Sequence, residues 1–499
     1  MPSKTQFFVA LAGTVVCLLG FARWPRASYD LLRARFVVPA IVWFGSFYQV
    51  IWRYAGGAGD RAGGFGHYRV AFGTGALGFV VGCVAFFWVG YLPRIGRLAA
   101  GKLRRYGTVR VPGMGDSMLF WSACLAAVCL AVTLVVDGYA RLVASPAGLR
   151  GAGIGFSSLP RVINLLSSRV EILLIVLGAA ALGFGLGAKR NKGAATYALA
   201  AVLFLALDLK FLDYFSRGVG LPMVVALFTY ACQARRLPRV ATVATALWTV
   251  VGMATSLAAR GAFRVRSAYN WFLALFHQAL LIAQGHFGHV LVGFDRLIDT
   301  ITPLSVVMAG VHAHVYMGQL TIPNWFLFQL PVPHFILAGP RWTFDPTRFV
   351  GGRGAWGYTA GVFGDLFGHF GWWGMAIFAA VGMASRFADE LAGWDGALAP
   401  ETLNVFALQV PIVYIALCLA GFLDFRGWVS MAFFGFYALC AAAWAARNLL
   451  GLAGPGGLAP ATRVAPRDGP SGGRGRARPP NGGRAPPGAG YSGGAGHAR

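Results

Sequence analysis

Apolar stretches of about 20 residues recur along the whole chain, and they limit the possible folds more than any other feature. A helix needs about 20 predominantly apolar residues to cross the hydrocarbon core of a bilayer. The chain has 499 residues, of which 57% are hydrophobic and only 12% are charged. Soluble proteins carry about 25% charged residues, so the sequence predicts an all-α polytopic membrane protein.

The connectors between these stretches predict an orientation. The first, third, fifth and seventh connectors are rich in Lys and Arg and nearly free of acidic residues, as is typical of cytoplasmic loops. The ninth also contains acidic residues, which contribute little to this rule. The C-terminus is therefore expected in the cytoplasm. About eleven spans are predicted, near residues 5–22, 36–52, 70–92, 118–136, 170–187, 195–212, 219–234, 240–258, 361–384, 404–423 and 428–446.

Four regions follow from this count. Residues 1–258 form a bundle of about eight transmembrane helices, and 259–358 form one large extracytoplasmic loop. Residues 359–452 hold the C-terminal transmembrane helices, and 453–499 are a disordered cytoplasmic tail rich in Pro, Gly and Arg. Long loops in compact proteins are commonly functional. The apolar start of the loop predicts a helix on the outer leaflet, with one further span or a re-entrant pair as the alternatives.

The net charge of +26 would suggest nucleic-acid binding in a soluble protein. Here the basic connectors account for it, so no nucleic-acid partner is expected. The seven cysteines lie in apolar runs without a CxxC pair, and neither a disulfide framework nor a zinc site is indicated. The loop histidines have short spacings and no obvious acidic partner. Neither a metal nor another cofactor is expected.

Arginines that the orientation rule does not require lie on the predicted outer side. Arg217 opens a span, Arg260 and Arg266 begin the large loop, and Arg353 lies near its end. Arginine stays charged and binds phosphate through two parallel hydrogen bonds. Several converging arginines at the outer boundary would suit a lipid-linked diphosphate. The alternative is that each one extends to the interface or pairs with a nearby Asp.

The stretch "GVFGDLFGHFGWWG" combines a glycine pattern with an ionisable pair. Five glycines from 357 to 371 are spaced by four and three residues, which on one helix forms a single stripe that allows close packing. Asp365 and His369 lie four residues apart and would be neighbours on a helix. Such a pair could act as a general base. The alternative is a polar pair whose members only satisfy each other.

Three segments together resemble the oligosaccharide repeat-unit polymerases, the O-antigen polymerase (Wzy-type) family. They are "SRGVGLPMVVALF", the proline-bearing "NWFLFQLPVPHFI", and the glycine-rich "GVFGDLFGHFGWWGMAIF". The likeness extends over about residues 208–386. The chain departs from the family pattern in three respects. Asp365 stands where Glu is common, His369 stands where Asn is usual, and the basic part of the proline-bearing segment is weak.

The resemblance implies a metal-independent membrane glycosyltransferase on the outer face of the bacterial inner membrane. It would polymerise undecaprenyl-diphosphate-linked oligosaccharide units into O-antigen, capsule or exopolysaccharide, alongside membrane lipid, a flippase and a chain-length regulator. Asp365, assisted by His369, would deprotonate the acceptor hydroxyl. The arginines named above would hold the diphosphate, and three tryptophans would stack on sugars: Trp325, Trp342 and Trp356.

Two other functions remain open from the sequence. An O-antigen ligase would use the same donor and transfer the chain to a lipid A core. A polysaccharide flippase or other transporter would be no enzyme, and it would place charged residues at mid-membrane and show repeat symmetry between two halves. The sequence displays no internal repeat of this kind.

Overall fold

The structure of the chain is a computed structural model, and most of the residues that it describes are helical. The described residues are 2–22, 28–55, 73–93, 118–127, 178–188, 220–261, 268–286, 300–312 and 361–392, the strands 108–110 and 402–404, and single residues at 100, 193, 196, 200, 203 and 323. The chain divides into two units, Met1–Ala446 and Arg447–Arg499. All the described residues lie in the first unit.

Twelve α-helices have both ends within these described residues. They are α1 Lys4–Leu18, α2 Ala34–Val42, α3 Tyr48–Tyr54, α4 Thr74–Tyr91, α5 Met118–Ala127, α6 Gly178–Ala188, α7 Leu221–Ala234, α8 Arg239–Gly261, α9 Ala268–Ala283, α10 Ile301–His312, α11 Gly361–Phe370 and α12 Gly374–Ala392. Short 3₁₀ turns occupy Leu19–Ala22, Ser28–Leu32 and Gly371–Trp373.

By length and composition alone, four helical segments in the described part could cross a membrane: Lys4–Ala22, Ala34–Tyr54, Thr74–Tyr91 and Gly361–Ala392, the last of which is divided by a turn at Gly371. The chain therefore has the structure of a helical membrane protein, as its composition predicts. The predicted spans near 404–423 and 428–446 lie outside the described residues. So do most of the predicted loop and the whole predicted tail.

One short β-ribbon accompanies the helices. Strand β1, Thr108–Arg110, pairs antiparallel with strand β2, Thr402–Asn404, and Val109 lies opposite Leu403. Three residues are too few for hydrophobic alternation to reveal a strand, so the sequence did not predict this ribbon. It joins the predicted third and ninth connectors.

The centre of the fold is the pair α4 and α12, which pack more extensively than any other two described elements. Glycines allow the close approach: a Cβ at Gly90 would collide with the Ala379 carbonyl oxygen, and one at Gly382 with that of Phe87. A Cβ at Gly82 would meet the side chain of Met375. Residue numbers therefore rise together along both helices, and α4 and α12 run parallel.

An acidic residue ties three helices together at one end of this pair. The Asp389 carboxylate accepts hydrogen bonds from the backbone N–H of Ala34, at 3.2 and 3.1 Å, and from the Tyr91 hydroxyl, at 2.6 Å. Asp389 is buried, and the positive N-terminal end of α2 stabilises its charge. We call this contact the Asp389 junction.

The apolar segment Ala34–Tyr54 is not a continuous α-helix. Between α2 and α3, residues Trp43–Phe47 form one turn of π-helix. A π-turn replaces the usual hydrogen bonds by wider i→i+5 bonds and is frequent at functional sites. Gly45 and Ser46 lie in this turn and contact the start of α10, as described below.

Candidate functional site

The helix that carries the ionisable pair is short and folds back on α12. Gly371 has a left-handed backbone with φ of 58°, which ends α11 as glycines commonly do. The rings of Phe363 and Phe378 stack with centroids 5.3 Å apart, and a Cβ at Gly374 would lie 2.7 Å from the Leu366 carbonyl oxygen. In one continuous helix Phe363 and Phe378 would be about 22 Å apart, so α11 and α12 form a helical hairpin.

This hairpin corrects two predictions. The sequence predicted one continuous span over 361–384, but the chain reverses within it. The five glycines were expected on one helical stripe, but Gly361, with φ of 67°, begins α11 and Gly371 ends it. Both predictions failed because a glycine in a helix face and a glycine at a left-handed turn look alike in a sequence.

The structure brings Asp365 and His369 together in the interior. Their side chains are only 4% and 8% exposed, and Oδ1 of Asp365 lies 3.4 Å from Nδ1 of His369. The same Nδ1 lies 2.9 Å from the backbone carbonyl oxygen of Asp365. Because a carbonyl only accepts, this contact favours the tautomer with the proton on Nδ1. The other ring nitrogen, Nε2, then has a lone pair that can take up a proton.

The pair lies level with the middle of α4. Asp365 lies between Phe363 and Leu366, which both pack on the first turns of α12. In these turns, Met375 lies against Gly82 of α4. Gly82 follows Thr74 by eight residues and precedes Tyr91 by nine, or about 12 and 13 Å at the usual rise. An ionisable pair in an apolar helical bundle is by default a hypothesis of a functional site.

A second short helix, α10, lies against α11. Its residues from Ile301 to Leu304 are buried, as is Thr300 just before it. The Oγ of Ser305 accepts a hydrogen bond from the backbone N–H of Gly73, just before α4, at 3.2 Å. The sequence predicted this stretch as part of the large outer loop, and the structure packs it against α11 and the start of α4.

The other candidate residues give less information. Arg260 lies in the last turn of α8, and its side chain is outside the described part. The remaining candidates are also outside the described residues: Arg217, Arg266, Arg353, Trp325, Trp342 and Trp356. Sequence reasoning missed the buried hydroxyls of Ser46, Thr300 and Ser305. Serine and threonine are ordinary in apolar helices, so only the proline after Thr302 marked this stretch.

Comparisons with family models, with curated proteins and with solved structures give no match to this chain.

Proposed function

We propose that the chain is a membrane glycosyltransferase that polymerises undecaprenyl-diphosphate-linked oligosaccharide units on the outer face of the bacterial inner membrane. One observation carries the proposal: a buried carboxylate–imidazole pair, Asp365 and His369, on a short helix that folds back inside an apolar bundle. This helix also lies in one of the three segments that resemble the O-antigen polymerases.

The contacts of the pair support a division of roles. Asp365 orients the imidazole through its backbone carbonyl and its carboxylate, and Nε2 of His369 takes the proton of the acceptor hydroxyl. The acceptor oxygen attacks the anomeric carbon of the donor chain, and the bond from that carbon to the diphosphate oxygen breaks. General bases of this kind contribute about 10²–10⁴-fold in rate. This assignment exchanges the roles expected from the sequence, where Asp365 was the base.

The diphosphate leaves with additional negative charge, which positive groups fixed around it would stabilise. Arg217 and Arg353 are the first residues to test for this role, with Arg260 and Arg266 next. Their support comes from the sequence, since they lie where the orientation rule does not call for basic residues.

The Asp389 junction brings together Ala34 in the predicted first connector, Tyr91 at the end of the predicted third span and Asp389 in the predicted ninth connector. The β-ribbon joins the third and ninth connectors. These contacts support the proposal that the three connectors lie on one side of the membrane, which the predicted count also requires. Asp389 follows Met375 by fourteen residues, about 21 Å along α12. The Asp365–His369 pair is thus far from the end of α12 that carries the Asp389 junction.

A transporter is the second candidate, and the structure provides a specific observation in its favour. Transporters bind substrates and ions near mid-membrane, at helices that are interrupted there. Asp365 lies level with the middle of α4, on a helix that ends at Gly371, and the π-turn interrupts the segment facing α10. The sequence alone did not reveal this depth. We rank it second because no repeat symmetry accompanies it.

The decisive experiment is deletion of the gene in its native host, followed by complementation with wild type, Asp365→Asn, His369→Gln and Arg217→Ala. Surface glycans and extracted lipid-linked oligosaccharides are then separated on gels. The matched control is Glu390→Gln, an acidic residue of α12 that is paired with Arg386 and partly exposed.

A polymerase predicts a glycan of one repeat unit in the deletion strain and in the three site variants, but wild-type polymer in the control. Full-length polymer that stays on its carrier would identify a ligase. Single units held at the cytoplasmic face would identify a transporter. Wild-type chain lengths in the His369→Gln strain would contradict the assigned base.

A further inference from the structure

A contact between the π-turn and α10 joins two distant parts of the chain. The Gly45 carbonyl oxygen accepts hydrogen bonds from the backbone N–H of Thr300, at 3.0 Å, and from its Oγ1, at 2.9 Å. The Ser46 Oγ lies 2.8 Å from the same Oγ1. Because Oγ1 gives its proton to the carbonyl, the Ser46 hydroxyl must donate to Thr300. We call this set the hydroxyl junction.

All three residues of the hydroxyl junction are buried, with Ser46 at 0% and Thr300 at 4% exposure. Polar groups removed from water need their hydrogen bonds, since an unpaired one costs free energy. Thr300 can keep both of its donors satisfied only while α10 starts against the π-turn. The contact therefore fixes where α10 begins.

A second contact fixes α10 further along, where Ser305 accepts the hydrogen bond from Gly73. A Cβ at Gly75 would lie 3.3 Å from the terminal methyl carbon of Met308, so α10 also packs closely on the start of α4. These two polar contacts and this packing hold α10 in place within the bundle. Helix α10 in turn packs against α11, which carries Asp365 and His369.

We propose that Ser46 and Thr300 are positioning residues for the Asp365–His369 pair, an inference that rests on the proposed function. Helix α11 has only ten residues, and it is held between the hairpin partner α12 and α10. A shift of α10 moves α11, and with it the imidazole that must meet the acceptor hydroxyl. Misplacement of a reacting group by about 1 Å can cost about 100-fold in rate.

The first test concerns the contact itself and does not depend on activity. In membranes, the double variant Ser46→Cys with Thr300→Cys should form a disulfide under mild oxidation, identified by mass spectrometry of the linked peptides. Each single cysteine variant serves as the control. Absence of the linked peptides would overturn the hydroxyl junction as a contact.

The second test measures catalysis by the full-length protein in nanodiscs, with lipid-linked repeat units extracted from the deletion strain as the substrate. Thr300→Val keeps the shape and the backbone N–H but removes the hydroxyl. We expect it to lower kcat by about 10- to 100-fold with little change in KM, and to alter the pH profile of kcat. Thr300→Ser restores the hydroxyl and should recover most of the rate.

Thr229→Val is the matched control, because Thr229 is equally buried and its hydroxyl bonds only one turn back in its own helix, to Val225. If Thr300→Val behaves like Thr229→Val while His369→Gln is inactive, the positioning role is wrong and the proposed function stands. If His369→Gln retains wild-type kcat, the pair is not catalytic, and both the assigned site and the positioning role fail.

Discussion

The contact between α4 and α12 gives the sharpest test of the fold. Gly90 of α4 and Gly382 of α12 each face backbone atoms of the other helix, so a methyl group at either position has no flexible neighbour to displace. Gly90→Ala and Gly382→Ala should therefore force the two helices apart. A side-chain clash could relax by rotation, but a clash with a carbonyl oxygen cannot.

The expected magnitude follows from two opposing terms. Overpacking of a close interface costs about 1–3 kcal/mol, and occasionally more. Replacing glycine by alanine inside a helix returns about 1 kcal/mol of helix propensity. We expect a net loss of about 2 kcal/mol for each variant, because the clash with backbone lies at the upper end of the first range. The double variant should lose less than the sum, since one separation of the helices relieves both clashes.

Gly78→Ala is the matched control, because it lies on the same helix α4 and its Cβ would have nothing within 4 Å. It should be neutral or more stable by up to about 1 kcal/mol. The assay is the midpoint of SDS denaturation of the purified protein in mixed micelles, followed by tryptophan fluorescence. If Gly90→Ala is as stable as Gly78→Ala, the close parallel approach of α4 and α12 is refuted.

Three further predictions follow from other contacts. Asp389→Asn removes the charge of the Asp389 junction and should cost about 1.5–3 kcal/mol in the same denaturation assay. Glu390→Gln, in a partly exposed ion pair, should cost at most about 1 kcal/mol. Equal effects of the two variants would contradict the junction. Val109→Cys and Leu403→Cys, opposite each other in the β-ribbon, should be labelled from the same side of the membrane and should cross-link; labelling from opposite sides would exclude the ribbon. Gly371→Ala should lower the stability in the same denaturation assay by about 1–2 kcal/mol through left-handed backbone strain alone, and Gly371→Asn should lower it less. Equal stability of these two variants would mean that the backbone at this position is not left-handed.

The site was only partly accessible from the sequence. The spacing of Asp365 and His369 predicted that they are neighbours, because four residues make about one helical turn. Their depth, and the contact between the imidazole and the Asp365 carbonyl, depend on how α11 folds against α12. Nothing local encodes that reversal, since Gly371 continues the same spacing of glycines that precedes it.

By itself, the sequence determined that the chain is a helical membrane protein and where its longest apolar segments lie. Hydrocarbon has no hydrogen-bond partners for the backbone, and a helix satisfies all its backbone groups within one segment, so a continuous apolar stretch of about 20 residues in a bilayer favours a helix. Only the tertiary structure decided that the chain reverses at Gly371, and that Gly45 and Thr300 meet across about 255 residues of chain. Such contacts depend on the fit between distant surfaces, and hydropathy carries no information about that fit.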